Sequence, residues 1–405
     1  MFSLARVPFV FRVLLAVLTL AGGSVIAAAQ TFQTAAPQAV LIDAETGAVL
    51  FDVGGNTRVS PASLAKIMTA EVIFHELSRG RLKLEDEFIT SEFAWRRGGA
   101  PAGGSAMFLT PNMRAKVSDL LAGLIVASGN DAAIVLAEGI SGSEANFSRL
   151  MNERARLLGL TQSTFRNANG WADPEQRVTM REMARLAAHI IKTYPEHYPI
   201  FGQKEFLWNK VKQQNRNPLI GQEAGADGLK TGFLEESGYS LVGSAVQNGQ
   251  RLILAISGLK TARDRQVEAK KLLDWGFRSF EVKTLLAAGT VVGEGALFGA
   301  SHGSVALVTT SDIRLPVPRG AAERMSAKIV YRGPLQAPIA AGTEVAKLHV
   351  FRGTTLVMEA PLATRDAVEH GSLSQRALDS ASELARSLVR NGVRSLTRKG
   401  ESPPQ

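Results

Sequence analysis

The chain contains no cysteine. Disulfide staples, a thiolate nucleophile and every cysteine–metal site are therefore excluded, though the absence says nothing about redox compartment. Histidine is scarce, with six in 405 residues, and the six are scattered. The pair His75-Glu76 lacks the second histidine of a zinc-protease helix, so neither a metal nor another cofactor is expected. The apolar run 13–26 is shorter than the ~20 residues a membrane span prefers. Otherwise 45% apolar and 20% charged residues describe an ordinary globular protein, long enough for two domains.

The first thirty residues stand apart. Arg6 and Arg12 are their only charges, and the apolar run ends in Ala27-Ala28-Ala29. A positive start, a short apolar stretch and small residues at −3 and −1 read as a secretory signal, residues 1–29, cleaved after Ala29. An uncleaved membrane anchor is the alternative. Removal leaves 44 basic and 37 acidic residues, a net charge of +7. A basic exported protein is drawn to anionic polymers and lipid headgroups, although solubility explains the charge equally well. No nucleic-acid partner is expected.

Residues 38–53 alternate as a hairpin turning at 43–47. Ser60-Pro61 is a helix start, with proline at the first helical position of a helix over 62–77. Further helices are expected over 117–127, 144–158, 179–193 and 262–277. Strands are expected over 238–246 and 250–259, joined at Gln247-Asn248-Gly249. Segregated helices and strands predict an α/β (α+β) catalytic domain with a central antiparallel sheet, residues 30–278. From 279 to 365, short apolar runs broken by glycine and proline (304–309, 313–317, 327–331, 344–351, 355–360) predict a small all-β sandwich or barrel without a catalytic constellation. The tail, 366–405, contains a basic amphipathic helix over 373–399. Leu373, Leu378, Leu384 and Leu388 fall on one half and Arg376, Arg386, Arg390, Arg394 and Arg398 on the other. It suits a membrane surface, or packing on the β domain or a partner.

Three short strings stand in order: Ser63-Leu64-Ala65-Lys66, Ser128-Gly129-Asn130 and Lys230-Thr231-Gly232. Lys-Thr recurs at Lys192, Lys260 and Lys283, but only Lys230-Thr231 is followed by glycine. Serine needs a base before it is a useful nucleophile, and residues three apart share a helix face, so Lys66 reaches Ser63. The helix dipole favours negative charge at Ser63. Lys66 must be neutral near pH 7, which burial and a nearby cation, here expected to be Lys230, can achieve. Ser128 can relay a proton to a leaving amine, while Asn130 can hold a substrate carbonyl and orient the lysine. Lys230 and Thr231, on or beside a strand edge, can hold a terminal carboxylate, and Gly232 lets a peptide backbone approach. Backbone N–H groups of Ser63 and Phe233 are placed to form an oxyanion hole.

The ordered set is the S-x-x-K, S-x-N, K-T-G signature of penicillin-binding proteins and serine β-lactamases. Within that group the chain resembles exported D-alanyl-D-alanine carboxypeptidases, the low-molecular-mass penicillin-binding proteins. The likeness extends through 58–69, 104–108, 128–132, 214–217, 227–232, 238–242 and 271–277. It implies an acyl-enzyme on Ser63 formed from a peptidoglycan stem peptide with loss of its terminal D-alanine, then hydrolysis, and inactivation by β-lactams. It also implies a place in the periplasm or cell envelope, peripheral on the outer face of the inner membrane through the C-terminal helix. Arg216 and Arg265 resemble, by position, the family's active-site arginines, with a carboxylate as their ligand. Two departures are visible. Phe233-Leu234 replaces a histidine or similar residue followed by threonine, removing a side-chain hydroxyl. Asn167-Ala168-Asn169-Gly170-Trp171 replaces a histidine-glycine form in the loop over the site. Competing readings are a serine β-lactamase using Glu175, an endopeptidase cutting D-alanyl cross-links, and an inactive peptidoglycan-binding protein.

Overall fold

Alternation in one strand dictates much of the architecture. In β1 (Gln38–Asp43) Val40 and Ile42 belong to one apolar cluster and Ala39 and Leu41 to another, and all four are buried. Successive side chains point to opposite faces, so this strand needs cover on both. The computed structural model describes residues 32–320, 325–374 and Arg376. The expected signal segment and nearly all of the expected tail helix lie outside these residues. The described chain falls into two units, 32–281 and 282–376.

The first unit runs β1, β2 (Val49–Val53), α1 (Ala65–Ser78), β3 (Glu87–Ile89), α2 (Glu92–Gly98), β4 (Arg114–Lys116), α3 (Val117–Ile125), α4 (Asn130–Ser141), α5 (Glu144–Leu157) and α6 (Met180–Thr193). It continues with β5 (Glu205–Trp208), β6 (Val211–Gln214), β7 (Ala226–Leu234), β8 (Gly238–Gln247), β9 (Gln250–Leu259) and α7 (Ala262–Ser279). Five strands form one antiparallel sheet in the order β2-β1-β9-β8-β7, which leaves β7 as an edge. On one face Leu41, Leu241, Leu252, Leu254 and Ile256 pack against Ala269, Leu272 and Leu273 of α7. On the other, Val40, Ile42, Val242 and Ile253 join the cluster built from α1 and α3–α6. Each fully buried aliphatic side chain contributes ~1.5–3 kcal/mol.

Local chemistry marks the helix ends. Ser143, Thr179 and Thr261 accept N–H bonds at the starts of α5, α6 and α7. Eleven of the fourteen residues of α1 are buried, so it runs through the core and lacks a polar face. Its buried Glu71 is met by Arg154 of α5 and by Tyr194, which satisfies a carboxylate that would be costly alone.

The structure differs from expectation at two joints. The helix expected from 62 opens as a single 3₁₀ turn, Ala62–Leu64, with Pro61 as its cap, and α1 starts only at Ala65. Ser128-Gly129-Asn130 ends one helix and also opens α4, of which Asn130 is the first residue. The second unit has strands β10 (Phe280–Leu286), β11 (Val291–Phe298), β12 (Ser304–Thr309), β13 (Ile313–Pro318), β14 (Met325–Val330), β15 (Leu335–Gln336), β16 (Glu344–Arg352) and β17 (Thr355–Thr364). Six make a sheet in the order β14-β16-β17-β12-β11-β15, and β10 pairs with β13. Leu307, Leu315, Leu348 and Leu362 sit in its core.

Candidate active site

Ser63 lies in the 3₁₀ turn ahead of α1, half-buried between fully buried neighbours Ala62 and Leu64. The turn is held from outside. Ala62 has φ +48°, and Gly170 packs so closely that a Cβ there would lie 1.9 Å from the Ala62 carbonyl oxygen. Gly232 of β7 closes the other side. A Cβ there would stand 2.5 Å from Ser240 Oγ and 3.0 Å from the Pro61 carbonyl oxygen. The glycine of the third string is thus favoured by the protein's own packing, the Ser240 hydroxyl and the nucleophile turn together, before any substrate arrives.

Lys66 is 1% exposed, and its ammonium nitrogen has three neighbours. It lies 3.0 Å from Ser63 Oγ and donates to Asn130 Oδ1 at 2.7 Å and to the Asn169 carbonyl at 2.5 Å. Burial, followed by the charge of Arg216, lowers its pKa to about 7 against the opposing pull of Asp131 and Glu144. The depressing cation expected at Lys230 is therefore found at Arg216. Lys230 is equally buried, and burial together with Lys66, Arg216 and Arg265 pushes it well below the usual lysine range. Among the described residues its ammonium group makes one side-chain hydrogen bond, a long one of 3.5 Å to the Thr231 carbonyl.

Ser128 is 2% exposed and sits at φ +60°, a costly backbone for serine, two residues before Asn130. Asp131 secures this turn. Fully buried, it accepts N–H bonds from Met107 (2.8 Å), Leu109 (3.0 Å) and Ala132 (2.9 Å), tying α4 to the 105–109 segment. Thr231 and Lys230 lie on β7, the free edge of the sheet.

A family model described as D-alanyl-D-alanine carboxypeptidase matches residues 24–261, and one for the C-terminal domain of penicillin-binding protein 5 matches 280–370. The D-alanyl-D-alanine carboxypeptidase DacA of Haemophilus influenzae is 39% identical over 319 residues, 78% of this chain and 81% of that one. DacC of Escherichia coli, of the same description, is 38% identical over 344 residues, covering 84% and 86%. Among solved structures, penicillin-binding protein 5 from Haemophilus influenzae superposes with a TM-score of 0.75 at 37% identity, covering 84% of this chain and 99% of that chain. The chain belongs to the D-alanyl-D-alanine carboxypeptidase family. It is a serine-type enzyme of that family, built as an α/β catalytic domain with a central antiparallel sheet followed by a β domain.

Within this carboxypeptidase, Arg216 and Arg265 have no carboxylate partner among the described residues. Arg216 acts on both lysines. Arg265 acts on Lys230 alone and lies 5.5 Å over the Tyr239 ring. Phe233, 49% exposed, lies against the same ring at 4.2 Å, so the residue after Lys230-Thr231-Gly232 presents an apolar face. Glu175, the base required by the β-lactamase reading, is 71% exposed at its side chain and pairs with Arg166 at 3.3 Å. It is committed to the surface.

Sequence reasoning missed the loop contacts. Asn169 is the backbone acceptor of Lys66, and Thr69 donates to the neighbouring Ala168 carbonyl at 2.7 Å. Glu144 accepts the Ala168 N–H at 3.2 Å, and burial raises its pKa. Gln176, fully buried, accepts the N–H groups of Arg166 and Asn167 and donates to the Trp171 carbonyl. A buried glutamine beside an Asn-Ala-Asn-Gly loop is a local signal that could have been read. The approach of Asn169 to Lys66, across 103 residues, has no local signal.

Proposed function

We propose that Ser63 is the nucleophile and Lys66 its base in removing the terminal D-alanine from peptidoglycan stem peptides. One observation carries the assignment: the set of partners around Lys66 Nζ. A neutral amine has two N–H bonds and one lone pair. The carbonyl oxygens of Asn130 and Asn169 take the two N–H bonds, leaving the lone pair for the Ser63 hydroxyl at 3.0 Å. A pKa of about 7 makes that form available near neutrality.

Ser63 Oγ then attacks the carbonyl of the penultimate D-alanine as Lys66 takes its proton. The N–H groups of Ser63 and Phe233 hold the oxyanion. Ser128 passes a proton to the departing amine, so D-alanine leaves and an ester remains on Ser63. Asn130 holds Lys66 in place. Water, deprotonated by Lys66, hydrolyses the ester. Lys230 and Thr231, with Arg216 and Arg265 behind them, hold the terminal carboxylate. An arriving carboxylate favours the charged form of Lys230 and so opposes the downward shift that burial causes. A β-lactam acylates Ser63 by the same steps, but its leaving amine stays tethered and the ester persists.

Around this chemistry we assign 1–29 to export, 30–278 to catalysis, 279–365 to a β domain and 366–405 to a basic tail that meets the outer face of the inner membrane. Among the described residues no helix is long and apolar enough to cross a membrane. Intact mass after exposure to benzylpenicillin tests the nucleophile. The protein should gain one penicillin mass and the Ser63→Ala form none; equal labelling of both forms contradicts the assignment.

Arg216→Gln separates the two arginines. Removing its positive charge favours protonated Lys66, so the acid limb of kcat/KM should move up from about pH 7. Arg265→Gln should raise KM and leave that limb in place, because Arg265 does not act on Lys66. Matching pH profiles for the two variants would contradict this division.

A further inference from the structure

Glu144 is a half-buried carboxylate to which the acyl transfer gives no task. It stands in the first turn of α5, a helix already capped by Ser143. Among the described residues no ion pair holds it. Its Oε1 instead reaches across 24 positions of sequence to accept the Ala168 N–H at 3.2 Å. The carbonyl of the same residue is also taken. Thr69 donates to it at 2.7 Å, and the next carbonyl, that of Asn169, takes an N–H of Lys66 at 2.5 Å. Lys66 and Thr69 are three apart on α1 and share a face. The loop is therefore gripped by α1 at two carbonyls and by α5 at one N–H.

Charge links the same residue to the base. Arg216 disfavours the ammonium form of Lys66, whereas Asp131 and Glu144 favour it. Lys230, itself buried, also faces Lys66. Asp131 is committed to three backbone N–H groups. Glu144 faces Lys66 from α1, Arg97 from α2 and Glu138 from α4. The two cations and the Ala168 N–H favour its carboxylate form against burial and Glu138.

We propose that Glu144 is a positioning residue for the base: it fixes the loop at Ala168, so that the Asn169 carbonyl stays on Lys66, and its negative charge offsets that of Arg216 at the Lys66 amine. The inference rests on Lys66 being the base, as proposed above. Glu144 acts through Lys66 and the loop, not on the substrate. The amine thus works between a cation and an anion of opposite effect, and the balance between them sets the pH at which it can take the Ser63 proton.

The test is D-alanine release by the full protein, from a peptide ending in D-Ala-D-Ala, as a function of pH. In Glu144→Gln the amide oxygen can still accept the Ala168 N–H, and only the charge is lost. The ammonium form of Lys66 loses support, so the acid limb of kcat/KM should move to lower pH, opposite to Arg216→Gln. At pH 6 the variant should keep about threefold more of its plateau rate than the native protein keeps, the scale of one partly exposed charge pair. Glu144→Gln combined with Arg216→Gln should return the limb towards its native place. In Glu144→Ala the Ala168 N–H also loses its acceptor, and the plateau kcat should fall on the order of tenfold below that of Glu144→Gln. A carboxylate serving only the start of α5 would change stability and leave the pH profile in place. A limb at its native pH in Glu144→Gln, or equal plateaus for the two variants, overturns the proposal and leaves the carboxypeptidase reading standing. If Glu144→Ala does not fold, the Glu144→Gln profile decides alone. A native profile without an acid limb overturns Lys66 as the base, and the role of Glu144 with it.

Discussion

Lys66→Gln should lower kcat/KM for D-alanine release by about 10³-fold, the scale of a lost general base. Glutamine can still donate to the Asn169 carbonyl, so the loop contact is partly kept. What disappears is the lone pair facing Ser63 Oγ. The pH profile separates the two effects. In the native enzyme kcat/KM should rise with pH up to about 7, falling tenfold per unit below, because protonated Lys66 has no lone pair to offer. The variant's residual rate should lose that limb. Retention of activity within tenfold, with the limb intact, would mean that Lys66 positions the serine and another group takes its proton.

Gly170→Ala should be nearly as damaging, though Gly170 carries no chemistry. Its φ is +88°, and an added Cβ would lie 1.9 Å from the Ala62 oxygen and 2.9 Å from the Ser63 nitrogen. Either the loop lifts, taking the Asn169 carbonyl from Lys66, or the nucleophile turn shifts. A displacement of about 1 Å at the reacting atoms costs on the order of 10²-fold in rate. Strain of this kind also costs about 1–3 kcal/mol of stability. Gly47→Ala is the matched control. It has φ +70° in the turn between β1 and β2 with nothing within 4 Å of the added carbon. It bears the backbone cost alone and should leave kcat/KM unchanged. Urea unfolding measured beside kinetics reads both; equal kinetics for the two variants would show that the loop is not what holds the turn.

Chemistry carried by short-range spacing was legible in the chain. Ser63 and Lys66 share a helical turn, and the alternation 38–53 and the strands 238–246 and 250–259 lie within a residue or two of the observed elements. Elements whose identity comes from packing were not. α2 and the hairpin β5–β6 are short and have little periodicity, and α4 was concealed because Asn130 both completes a turn and starts a helix. In the site the missing facts are contacts made at a distance. Arg216, the cation that acts on Lys66, lies 150 positions downstream, and Glu144 and Asn169 reach Lys66 through folds of the chain that no local pattern announces. Asp131 was nearer to legible, since an acid in the first turn of a helix has a ready use for its charge.

D-Alanine release from a peptide ending in D-Ala-D-Ala, measured for the native protein and for Ser63→Ala, is the most direct test of the chemistry. Release by the native protein and none by the variant is the expected result. Release by both would place the nucleophile elsewhere, and release by neither would leave a peptidoglycan-binding protein with an idle site.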